Sequence, residues 1–227
     1  MKRTLSYLLL LAFFTSCEIT YNGDVKIVTK GTVLHADGTP VVNQDIKLSV
    51  YKKGGSIPFL IYISSEENFI GKTKTDQNGN YIMAIPEPEP GAYSEIIVKI
   101  NNDENELNSK IFRNINDTNY INHECFLPNV ILYEKDSLSV LNLTVNQVSS
   151  VHELIDIEYL GAVANEIHFI NPSEDYSVYN NYSARVMKNQ TVTLRYTLKN
   201  HSSGNLEVND VQIPIDNADQ IEYTLEF

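Results

Sequence analysis

The sequence predicts an all-β protein built as two β-sandwich domains. Three observations lead there. The chain carries 14 Tyr and 8 Phe in 227 residues, a bias toward side chains that fit a pleated surface. No segment after residue 16 keeps a helical apolar period over three turns, whereas several alternate apolar and polar residues with period two. Between them stand clusters of Gly, Asn, Asp and Pro, the residues that turn a chain. With 42% hydrophobic residues the chain can fill two cores of roughly 100 residues each. Its net charge of −12 repels nucleic acid and anionic lipid, so neither is an expected partner.

The N-terminus reads as an address. Lys2 and Arg3 precede a ten-residue apolar stretch, Leu5 to Phe14, and small polar Thr15 and Ser16 lead to Cys17. This is a secretory leader, residues 1–16, too short to span a bilayer. Phe14-Thr15-Ser16-Cys17 resembles the lipobox of bacterial lipoproteins, departing at Phe14, where that family prefers Leu or another aliphatic residue. The resemblance implies cleavage before Cys17, lipid on its thiol with further acylation such as palmitate, and a place in the bacterial cell envelope. The outer membrane is the expected site, with the leaflet open. Two or more acyl chains make such anchoring stable. The other reading is an ordinary leader on a soluble secreted protein, with Cys17 free to pair with Cys125, the only other cysteine. If Cys17 carries lipid, Cys125 is expected to be a small buried apolar residue. Residues 17–24 would then be a tether, reaching at most about 25 Å.

The first domain is expected over residues 25–136. Residues 25–35 form a β-type run, 36–40 (ADGTP) a turn, and 45–53 alternate Ile46, Leu48 and Val50 against Lys47, Ser49 and Tyr51. Residues 57–63 (IPFLIYI) read as one more continuous apolar strand. Residues 73–86 (TKTDQNGNYIMAIP) read as a hairpin, with Asp76, Asn78, Gly79 and Asn80 in the turn and Tyr81, Met83 and Ile85 on one face. Ile96, Val98 and Ile100 mark a further strand, 101–109 a polar surface loop, and 129–133 a last short strand.

Gly31, Val33, Asp37, Gly38, Pro40 and Val41, followed by Thr75, Asp76, Gly79, Tyr81 and Pro86, resemble the carboxypeptidase regulatory-like domain, a transthyretin-like β-sandwich of about seven strands. The likeness covers roughly half of the chain, with extra material over residues 52–72. It implies a fold and a non-catalytic appendage; activity does not follow from it.

The second domain is expected over residues 137–227. Residues 138–148 and 151–160 are strand-like, 166–170 is a short strand and 171–173 a turn. Val192, Leu194, Tyr196 and Leu198 alternate with Thr191, Thr193, Arg195 and Thr197, and Ile221, Tyr223, Leu225 and Phe227 with Glu222, Thr224 and Glu226. Residues 200–205 are a loop leading to a strand over 208–215. Strands at this spacing suggest a second sandwich, immunoglobulin-like in the broad sense.

Candidate chemistry is sparse. His152-Glu153-Leu154-Ile155-Asp156 begins like a zinc-peptidase motif but has Asp where the second His is needed, and it lies in a strand pattern that separates i and i+4 by roughly 13 Å. Asp76, Asn78 and Asn80 have the opening spacing of a calcium loop, without its closing Glu. No catalytic residue, metal ligand or cofactor is assigned. The stretch 172–184 (PSEDYSVYNNYSA) gathers Tyr176, Tyr179 and Tyr182 among Ser and Asn, a composition suited to recognition because tyrosine offers rigid stacking area. The expected function is a non-catalytic, lipid-anchored envelope protein presenting interaction or adhesion surfaces. The alternative is a carbohydrate-binding accessory for nutrient capture. The expected partners are the membrane, through the lipid, and a protein or glycan at the tyrosines.

Overall fold

The computed structural model describes residues 19–57, 61–101, 106–164, 166–168 and 182–227. These residues are nearly all β, arranged as two sandwiches. The strands are β1 (Tyr21–His35), β2 (Asp45–Lys52), β3 (Gly55–Ile57), β4 (Ile61–Ile63), β5 (Glu66–Lys74), β6 (Asn80–Pro88), β7 (Glu95–Ile100), β8 (Lys110–Ile115), β9 (Glu124–Phe126) and β10 (Val130–Leu132). There follow β11 (Leu138–Asn146), β12 (His152–Leu160), β13 (Glu166–His168), β14 (Ser183–Met187), β15 (Gln190–Asn200), β16 (Leu206–Ile215) and β17 (Gln220–Glu226).

In the first sandwich β1 is central to one sheet. It pairs antiparallel with β6 along one side and parallel with β9 and β10 along the other. The second sheet runs β13-β8-β7-β2-β5. Ile27, Val33, Tyr81 and Ile85 from the first sheet meet Ile46, Leu48, Val50, Val98 and Phe112 from the second in one buried cluster. The alternation expected for β2 thus places Ile46, Leu48 and Val50 in the core, as period-two geometry requires. Gly31 has a specific place in this packing. It stands across from Tyr81, and a Cβ there would lie 2.5 Å from the Tyr81 hydroxyl, so the glycine makes room for the ring.

The turn at Asp76 forms, but the strands beside it do not make a hairpin. Asp76 Oδ1 accepts from the amides of Asn78 and Asn80, both at 2.8 Å, while β5 pairs with β2 and β6 with β1. The chain therefore crosses from one sheet to the other at this turn. Turn residues specify a reversal of direction and are silent about which strands pair. The apolar run at 57–63 likewise differs from expectation: β3 and β4 pair antiparallel as two short strands. Pro58 lies between them in sequence and has no amide hydrogen to donate to a ladder.

Residues 19–24, expected as tether, belong to the fold. Ile19 is 3% exposed and packs into the first core. The Glu89 amide donates to the Thr20 carbonyl at 2.9 Å, and Thr20 Oγ1 donates to Glu89 at 2.7 Å. A core seat for Ile19 outweighs the polar character of its neighbours. The loop after β7 also departs from expectation, because Asn101 and Asn108 are buried. Asn101 Oδ1 accepts from Gln44 Nε2 at 3.1 Å and its Nδ2 donates to the Leu107 carbonyl at 2.8 Å. Asn101 holds φ at +66°, a conformation that Asn tolerates better than most residues.

The second sandwich pairs the sheets β14-β11-β17 and β12-β15-β16. Leu141, Leu143, Ile157, Val186, Val192, Leu194, Ile213, Ile215 and Leu225 form its core. β11 and β17 run parallel, in register from Val140 opposite Gln220 to Asn146 opposite Glu226. One strand crosses over. β13, expected within the second sandwich, instead pairs parallel with β8 at the edge of the first. Among the described residues no helix is long and apolar enough to cross a membrane.

Candidate functional site

A segment that touches both sandwiches also lines a concave surface of the second. Gly161, with φ at +96°, ends β12, and the chain then touches both halves. Ala162 bridges to Val186 and the Val163 amide donates to the Arg185 carbonyl at 2.7 Å, which fixes the segment to β14. Glu166 then opens β13 against β8. Between these attachments lies a groove of ≈ 760 Å³ lined, among the described residues, by Ile157, Tyr159, Ala164, Glu166, Ala184 and Arg185. A smaller hollow of ≈ 380 Å³ adjoins it, sharing Val140 and Arg185 and adding Lys135 and Leu138.

Tyr182 stands at the entry to β14. It is 50% exposed, and its carbonyl accepts from the Leu143 amide at 2.8 Å, so the backbone is held while the ring is offered to solvent. Tyr159 is its neighbour: burial, and then the nearby Tyr182, push the Tyr159 phenol up to about 12. Tyr176 and Tyr179 lie outside the described residues, as does Cys17. Of the three tyrosines expected to form a surface, the structure therefore places one.

The floor of the junction is polar and paired. Arg113 on β8 contacts Glu95 at 3.2 Å and Glu166 at 3.4 Å, and Glu95 also accepts from the Asn114 amide at 2.6 Å. Lys110 is buried, and its Nζ donates to the Ala164 carbonyl. Burial, and then the Arg185 guanidinium, push its ammonium down from 10.5 to about 8. At Lys110 the folded chain is then the weaker proton binder between about pH 8 and 10.5, so the contribution of this group to stability rises with pH across that window, by up to about 3 kcal/mol. Wild type should therefore gain stability relative to Lys110→Met from pH 8 to 10, on a shared background that falls above about pH 9, where the buried Cys125 thiol keeps a proton that the unfolded chain gives up. A stability difference between the two that stays constant across this range would assign the effect elsewhere.

The motifs singled out for metal chemistry have structural roles. His152 begins strand β12, with Nδ1 3.4 Å from Ser149 Oγ and Nε2 3.8 Å from Glu207, and Asp76 is occupied by backbone amides. Among the described residues no group of three or more His, Cys, Asp or Glu side chains could hold a metal ion. Cys125 is free and buried, and burial pushes its thiol up to about 11. It fills core space. Sequence reasoning missed Lys110, Tyr159 and Arg185 as parts of a site. Lys110 offered one signal, a charge in register with Phe112 on the inward face of a strand.

No family model matches the chain, and no curated protein matches it. Among solved structures, the shaft pilin SpaA from Lactobacillus rhamnosus GG overlaps 89% of this chain and 98% of its own at 9% identity, with a TM-score of 0.31. The tip fimbrial protein Mfa3 from Porphyromonas gingivalis overlaps 83% of this chain and 82% of its own at 13% identity and a TM-score of 0.26. Hydroxyquinol 1,2-dioxygenase from Pseudomonas putida DLL-E4 overlaps 48% of this chain at 11% identity and a TM-score of 0.30, and this chain spans 57% of that enzyme. Overlaps of this size assign neither a family nor an activity.

Proposed function

We propose that this chain is a lipid-anchored protein of the bacterial envelope, held through Cys17 at the outer membrane, whose sandwiches present surfaces for binding a partner without chemistry on it. The first sandwich, with a boundary near Asp136, would be the transthyretin-like module that the resemblance implies, and the second would carry the contact. The observation that supports this reading is the groove lined by Tyr159, with the exposed Tyr182 near the Tyr159 phenol. It offers aromatic area beside Arg185 and Glu166, while the charged groups beneath it are engaged in holding the sandwiches together. The same groove favours a second reading, capture of a glycan for nutrient uptake, since aromatic faces with a few placed polar groups suit a sugar ring.

Replacing Tyr176, Tyr179 and Tyr182 together by Ser tests the contact. Each truncated aromatic anchor costs about 1–3 kcal/mol of binding, whereas surface substitutions change stability by about 0.5 kcal/mol or less. The expected result is binding weakened by at least tenfold with an unchanged melting temperature. A fall of many degrees would instead place the rings in the core. A panel of glycans against a panel of envelope proteins separates the two readings. The anchor has its own test: metabolic labelling with a fatty-acid probe should mark the wild type and leave Cys17→Ala unlabelled, and equal label in both would exclude it.

A further inference from the structure

The sheet formed by β6, β1, β9 and β10 has an outer face that nothing in the described structure covers. Its rows follow from register. Ile82, Lys30 and Phe126 stand side by side, as do Ala84, Val28 and Glu124, and Leu34 lies beside Ile131. Ile82 is 63% exposed and Phe126 68%. Lys30 lies between them, its Nζ 5.1 Å from the centre of the Phe126 ring and 2.7 Å from Glu124. Large apolar side chains exposed together on one sheet face mark an interaction site.

Chain length indicates what covers it. Ile19 is seated in the first core and Tyr21 begins β1, so only two residue steps separate Cys17 from the packed sandwich, a reach of about 7 Å. A domain held that closely to a lipidated residue cannot stand clear of the bilayer. β1 carries both the attachment and the middle of the apolar face. Lys30 and Glu124 on this face are paired with each other, and a zwitterionic lipid surface carries no net charge to oppose the approach. We infer that the outer face of the β6-β1-β9-β10 sheet lies against the zwitterionic lipid surface in which Cys17 is anchored, with Ile82 and Phe126 entering the headgroup region. The inference rests on lipidation of Cys17.

The chain contains no Trp, so Phe126→Trp supplies a single reporter in the full-length lipidated protein. On phosphatidylcholine vesicles its emission should shift to the blue and be quenched by brominated lipid. Phe69→Trp, on β5 opposite Ser49 in the other sheet and 60% exposed, should be quenched at least fivefold less. Equal quenching of the two, or stronger quenching of Phe69→Trp, overturns the proposed orientation. Fatty-acid labelling of the same preparation shows separately whether the anchor is present. If it is absent, the unlipidated Phe126→Trp chain is titrated with the same vesicles. Partition that falls by about tenfold when Ile82→Ser is added upholds the face without the anchor. No partition, with concentration-dependent dimerisation abolished by Ile82→Ser in sedimentation, assigns the face to a second copy of this chain and overturns the inference.

Discussion

Gly79→Ala is expected to destabilise the first sandwich by about 3 kcal/mol, a fall in melting temperature of roughly 10 °C or more. Two causes add. Gly79 has φ at +74°, where an alanine is strained. It also sits where the crossing turn meets β1: its carbonyl accepts from the Val33 amide at 2.8 Å, and a Cβ would fall on the Val33 carbonyl oxygen. Backbone on both sides leaves nothing to move aside. Gly38 has a similar φ of +83° and open space around it, so Gly38→Ala carries the conformational cost alone, about 1 kcal/mol. Chemical denaturation of the two variants separates the causes, and equal losses would show that the close approach to β1 is unimportant.

Phe112→Ala should cost more, about 3–5 kcal/mol, because it removes a large side chain from a fully buried site that neighbouring strands hold rigidly. Phe112 stands opposite Val98 on β7, within the sheet that also receives β13. The comparison is Phe69→Ala, an exposed aromatic on β5, expected to change stability by about 0.5 kcal/mol. Calorimetry of both should show one large shift and one small. A loss below about 1 kcal/mol for Phe112→Ala would mean that β8 is not part of the first core.

Much of the architecture was legible because alternation is a local signal. The inward rows of β2, β7 and β15 follow from every second residue being apolar, and the turn at Asp76 and Gly79 follows from side chains that cap their own backbone. Pairing is not local. Nothing in residues 73–86 states that the two flanking strands belong to different sheets, and nothing in Glu166 to His168 states that this strand joins the other sandwich. β8 was missed because Lys110, Arg113 and Asn114 dilute its apolar pattern, and β9 because three residues show no period. At the candidate site, composition drew attention to Tyr182, whereas Tyr159 was one member of an alternating row. Its importance comes from the ring beside it, which only the fold reveals.

The parallel pairing of β11 with β17 has a mechanical consequence. Tension applied between the start of β11 and the end of β17 drags the two strands past one another along their length. The cross-strand hydrogen bonds from Val140 to Asn146 are then loaded together and must fail together. An antiparallel pair pulled from adjacent ends would open one bond at a time. Shear between β11 and β17 is therefore resisted by the whole ladder at once, where peeling would meet one bond at a time.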